Sequence, residues 1–251
     1  MIESILSTLG KQALQLATKE AWRIASAHWS LDSRMGDVNR AYNKVRGELA
    51  EVGLLADGVY LDDIELEVAF LPSYGEAGFV YEQTGWLSRL VGYREGVIYL
   101  PRDLPATAFV PGGTLTDTIR HEYAHAWHWL EPDFFERPWY SKAFVIPYNE
   151  VSASPAEEWH WRVERSRKFQ SSLNSCRNDR ERMALYRKTL RDDFVSEYAA
   201  TLSCEDFAET FMYYLRYRNS IDRFSSRPGV YKKLLAVQKA VTTASRELGL
   251  Q

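Results

Sequence analysis

Near the middle of the chain, His121-Glu122-Tyr123-Ala124-His125 sets two imidazoles four positions apart, with a carboxylate next to the first. On a helix, residues i and i+4 share a face and lie about 6 Å apart along the axis. Two imidazoles so placed can take two corners of a tetrahedron around Zn²⁺. Glu122 is turned by about 100° from His121, beside such an ion rather than on it. A general base that takes a proton from metal-bound water stands in that position. The chain holds 5 His, so this spacing is unlike a chance event; the plain alternative is two unrelated histidines.

A catalytic zinc needs a third protein ligand and an open fourth position. One known arrangement continues from the helix into Gly and then a third His. Here those two positions hold His128 and Glu131, and without Gly the sharp turn is not expected. His128 shares the face of His121 and His125 but lies a turn further on, and reads as a core or supporting residue. The other arrangement takes a Glu from a later helix, and Glu205 is the candidate. Tyr198 precedes it by seven residues and Glu209 follows it by four. Glu205 and Glu209 share a helix face, so one can bind a metal while the other accepts the N–H of a ligand His and fixes its tautomer. Without the His pair, the same spacing would read as a solvated acidic face.

The elements that must carry these residues follow from periodicity and punctuation. Residues 2–28 and Asp37–Val52 read as two helices forming a hairpin, the second stopped at Gly53. Alternation over Ile64–Phe70 has strand period, and Gly78–Tyr81 and Gly96–Leu100 read as two more strands. Residues 101–113 are Pro- and Gly-rich loop. A helix then runs from Thr114 to about Leu130, with Thr114 and Asp117 spaced as a capping box. Leu115, Ile119, Ala126 and Leu130 form its apolar face. Residues 131–158, with four prolines among many aromatics, read as a long structured loop. Residues 156–191 read as two helical pieces with a break at Asn174–Asn178. A helix around Glu205–Arg216 and a last one from Arg227-Pro228-Gly229 to about Leu248 complete the chain, an α+β pattern.

Composition removes several function classes. With 31 Lys and Arg against 34 Asp and Glu, the net charge is −3, which favours neither nucleic acid nor an anionic membrane. A basic bias from Arg162 to Arg191 is interrupted by acids and reads as a solvated helical surface. No stretch approaches the roughly 18 apolar residues of a membrane span. Lys11, Lys19 and Glu20 break any signal-like run near the start, so a cytoplasmic location is expected. Cys176 and Cys204 are expected to be reduced thiols.

The motif His121-Glu122-x-x-His125, followed by Ser-x-Tyr198 and then Glu205-x-Phe207-Ala208-Glu209-x-Phe211, resembles the gluzincin metallopeptidases of the lethal-factor type. It is similar also to Pro-Pro endopeptidases and to the Mlc titration factor peptidase. The resemblance implies a zincin-like fold, with a small mixed sheet packed on the active-site helix, an N-terminal helical hairpin and C-terminal helices. It implies one Zn²⁺ held by His121, His125 and Glu205, with Glu122 as general base, Tyr198 as oxyanion donor and Glu209 supporting a ligand His. The gap from His125 to Glu205 is long for such a relative. Residues 56–251 would then be the catalytic domain, with an inserted region at about 131–191, and residues 1–55 a helical segment packed on it. The expected partner is a peptide or protein substrate. Val97–Leu100 reads either as the strand edge that pairs with it or as an interior strand. Trp127, Trp129, Phe134, Phe135, Trp139, Tyr140 and Phe144 read as core, or as the lining of a specificity cleft. Two other readings stand beside the peptidase: a catalytically silent zincin-like binding or regulatory protein, and a metal-dependent hydrolase of something other than peptide.

Overall fold

The computed structural model describes residues 35–56, 59–69, 78–80, 94–101, 113–148 and 160–249. The expected helix at 2–28, its hairpin and most of the 101–113 loop lie outside the described residues. The first described helix, α1 (35–51), buries Val38, Ala41, Val45 and Leu49, spaced three and four apart as an apolar face requires. It ends where expected. Gly53 takes φ +73°, Leu54 N–H reaches back to Leu49 C=O at 2.9 Å and Gly53 N–H to Ala50 C=O at 3.0 Å. This is the left-handed glycine cap that satisfies the last carbonyls of a helix.

Two short strands, β1 (Leu55–Ala56) and β2 (Val59–Tyr60), pair antiparallel. Beyond them, β3 (Glu65–Ala69), β4 (Gly78–Phe79) and β5 (Val97–Pro101) form a mixed sheet in the order β3-β5-β4. β5 runs parallel to β3, with Leu66 opposite Ile98, and antiparallel to β4, with Phe79 opposite Ile98. Val97–Leu100 is therefore the central strand, which decides between its two readings for the interior strand and against the substrate-pairing edge. Val97, Ile98, Tyr99 and Leu100 are all buried. A strand covered on both faces reads as a continuous apolar run, and only the long-range pairing distinguishes it from an edge.

The helix α2 (Leu115–Leu130) begins at the expected capping box. Thr114 Oγ1 accepts from Asp117 N–H at 3.2 Å, and Asp117 Oδ2 accepts from Thr114 N–H at 3.1 Å. The described part of the segment expected as a structured loop, residues 131–148, is instead wound. It contains α3 (Pro132–Glu136), a turn at Pro138–Tyr140, a π-turn at Ser141–Val145 and a 3₁₀ turn at Ile146–Tyr148. Pro132 and Pro138 sit at the first positions of their turns, where a missing N–H costs nothing, so they start helical turns.

Three helices follow, α4 (His160–Arg165), α5 (Arg167–Leu173) and α6 (Asp179–Asp193). The expected break at 174–178 is present. A further one at Ser166, whose side chain caps α5 through Phe169 N–H, divides the first piece. A 3₁₀ turn at Tyr198–Ala200 leads into α7 (Ser203–Tyr217), and a 3₁₀ segment at Arg218–Phe224 leads into α8 (Pro228–Glu247).

The aromatics between α2 and α7 decide the packing. Trp127, with no exposure, stands 5.5 Å from Phe211 and 5.2 Å from Phe135, ring to ring. Phe134, Phe135, Tyr140 and Phe144 are buried with it. These residues are core, and truncating Trp127 would cost about 3–5 kcal/mol. Trp129 differs, being 37% exposed and stacked edge-on against Phe79 of β4. Among the described residues, no helix is long and apolar enough to cross a membrane.

Candidate metal centre

Helix α2 presents His121 and His125 on one face, and α7 packs against it to present Glu205 and Glu209. Nε2 of His121 and Nε2 of His125 lie 3.0 Å apart. Oε2 of Glu205 is 3.1 Å from the first and 3.4 Å from the second. Ligands about 2.05 Å from an ion in a regular tetrahedron stand about 3.3 Å from one another. The triangle therefore has the size that a four-coordinate cation needs, and these three residues form a group able to hold a metal ion.

The protons support that reading. Glu209, fully buried, has its Oε1 2.8 Å from Nδ1 of His121. A carboxylate accepts, so Nδ1 carries a proton, and whenever the ring is neutral its Nε2 presents a lone pair to the triangle. Glu205 Oε2 is buried without a hydrogen-bond partner, 3.1 and 3.4 Å from the two imidazole nitrogens. Converging lone pairs repel unless positive charge lies among them. Burial disfavours the charged His121 ring, yet Glu205 and Glu209 outweigh it and push its pKa up to about 10. Burial likewise opposes charge on Glu205, but His121 and His125 hold its carboxyl far below the usual range. The pocket is built to keep positive charge.

No protein-family model, no curated protein and no solved structure matches this chain.

The remaining candidates surround the triangle. Glu122 is buried, and its Oε2 accepts the N–H of Phe79 at 2.8 Å. Tyr198 is 44% exposed, its ring 5.8 Å from that of His121. His128 is outside the cluster: it packs on Phe135 at 4.6 Å, and burial lowers its pKa to about 4, so it is neutral near pH 7. Cys204 and Cys176 are free thiols.

Several contributors were given no role at the site by the sequence. Ser196 Oγ donates to Glu209 Oε2 at 2.7 Å and accepts from Ala199 N–H at 3.0 Å, tying the Glu209 carboxylate to the turn that bears Tyr198. Ser196 is the Ser of the Ser-x-Tyr198 pattern, so its position was visible although its role was not. Arg162, expected on a solvated surface, is 1% exposed. Its guanidinium donates to Ala199 C=O at 2.6 Å, Leu202 C=O at 2.9 Å and Phe144 C=O at 2.8 Å. Asp206, next to Glu205, accepts from Lys233 at 2.5 Å and from Arg162 at 3.3 Å, which sets the rotation of α7.

Proposed function

We propose that the chain is a zinc-dependent metallopeptidase of gluzincin type. One observation carries the reading: the His121, His125 and Glu205 atoms converge at tetrahedral spacing while Glu209 fixes the His121 tautomer. Two imidazoles and one carboxylate suit the borderline-soft zinc ion and leave a fourth position open. A zinc ion held there supplies Lewis acidity and a water acidic enough to ionise near neutral pH.

The chain's own residues then have distinct tasks. Glu122, anchored through one oxygen by Phe79 N–H, uses the other to take the proton of the attacking water, and later returns it to the leaving amine. The Tyr198 hydroxyl donates to the carbonyl oxygen as it gains charge. Because β5 is paired on both sides, the peptide would lie along β4, whose Phe79 already reaches Glu122. Trp129, stacked on Phe79, would flank it. The small sheet beside the His helix is in keeping with a zincin-like fold.

The test combines metal content by atomic emission with cleavage of a peptide library, with and without a chelator. Zinc at one per chain and chelator-sensitive cleavage are expected. A zinc-loaded protein that cleaves no peptide would instead favour a silent binding protein, and cleavage that persists without metal would sink the reading.

A further inference from the structure

Along α8, two cavities of about 270 and 320 Å³ adjoin and share Lys142, Ala143 and Lys232 as walls. The larger volume sits at the small end of ligand pockets, roughly 300–1,000 Å³, and the smaller just below it. The larger has an apolar floor of Phe134, Trp139, Ala236 and Ala240. The smaller is basic: Lys168, Lys232, Lys233 and Lys142 line it, with Asp193 the carboxylate among its walls.

Charge in this groove is unbalanced, although the chain as a whole is at −3. Asp193 is held by Lys168 at 3.2 Å. Behind the wall, Asp206 serves two buried cations, Arg162 and Lys233. Among the described residues, Lys142, Lys232 and Lys239 face no carboxylate at ion-pair distance. Positive charge thus gathers where an apolar floor meets a basic recess. A purely apolar ligand would leave the ammonium groups unanswered, and a bare inorganic anion would leave the floor wet.

We propose that this groove binds a small amphipathic anion, a carboxylate on an apolar tail. Its head lies between Lys142 and Lys232, and its tail rests on Phe134, Trp139 and Ala236. The site is separate from the metal centre and does not depend on the peptidase reading.

Decanoate is the probe, titrated calorimetrically into the full chain at low salt. Binding of one decanoate per chain is expected, weakening as salt is added because exposed charges are screened beyond about 10 Å at 0.1 M. Lys142 and Lys232 are exposed, so the K142Q/K232Q double variant keeps its fold and should bind about tenfold more weakly, a loss in keeping with two surface ion contacts. Ala236→Phe fills the floor and should abolish binding, with the thermal midpoint unchanged. Decanol binding as tightly as decanoate would reduce the groove to an apolar patch and overturn the proposal. So would inorganic phosphate binding as tightly, or both variants binding like the wild type. Chelator treatment and Glu122→Gln should leave decanoate binding untouched.

Discussion

Glu209 Oε1 lies 2.8 Å from Nδ1 of His121, on a carboxylate with no solvent exposure, whose other oxygen takes the Ser196 hydroxyl at 2.7 Å. This contact decides which His121 nitrogen faces Glu205. Glu209→Gln keeps the shape but lets the amide offer N–H as readily as C=O, so the tautomer is no longer fixed. Zinc affinity should fall about 10–100-fold, the usual effect of losing such a partner, measured by competition with a chromophoric chelator. Unchanged affinity would remove Glu209 from the site.

Glu122→Gln tests the base separately from the metal. The amide keeps the Phe79 contact through its oxygen but takes no proton. Zinc should stay at one per chain while cleavage falls by roughly 10²–10⁴, the range for a positioned acid–base group. A variant with full activity would refute the assignment.

Tyr198→Phe removes one hydroxyl from a half-exposed ring and disturbs little packing. The expectation is a drop in kcat of about 10²–10³, the cost of one oxyanion donor, with KM and zinc content near wild type. A change in KM alone would make Tyr198 a substrate contact.

The metal-free protein should show a characteristic stability profile. The folded pKa of His121 is raised from its usual 6.5 to about 10. Its contribution is therefore complete below about 6.5 and is lost as pH rises through about 10. Glu205 is shifted the other way, so its contribution is present above the usual carboxylate range and is lost as pH falls below it. Chelator-treated protein should lose thermal stability between pH 7 and 10, while zinc-loaded protein, with no proton on His121 Nε2, should lose less. Parallel melting profiles for the two forms would contradict this.

Asp206→Ala leaves Arg162 and Lys233 buried beside each other without their shared carboxylate. Breaking a buried ion pair from one side costs about 3–5 kcal/mol, to be measured by denaturant unfolding. A loss below about 1 kcal/mol would show that water reaches the cluster.

What the sequence made legible was the short-range part. His121 and His125 are one helical turn apart, Glu205 and Glu209 another, and Gly53 and Thr114 mark helix ends through local rules. The α+β pattern and the order of the strands along the chain were also readable. What failed or stayed open depended on pairing at a distance. The place of Val97–Pro101 between β3 and β4 is a property of three segments together. Arg162 looked like its basic neighbours because the carbonyls and carboxylate that allow its burial come from Phe144, Ala199, Leu202 and Asp206. The prolines of 131–148 suggested interruption, but most of their turns begin where a proline is harmless.

The grip of Arg162 on Ala199 and Leu202 has a consequence for timing. One guanidinium holds the turn carrying Tyr198 and the residue preceding the helix that carries Glu205. The two groups are thus tied to each other through one buried side chain. The entropy of ordering them is lost once, as the chain folds, and any reaction at this centre starts from donors already in register.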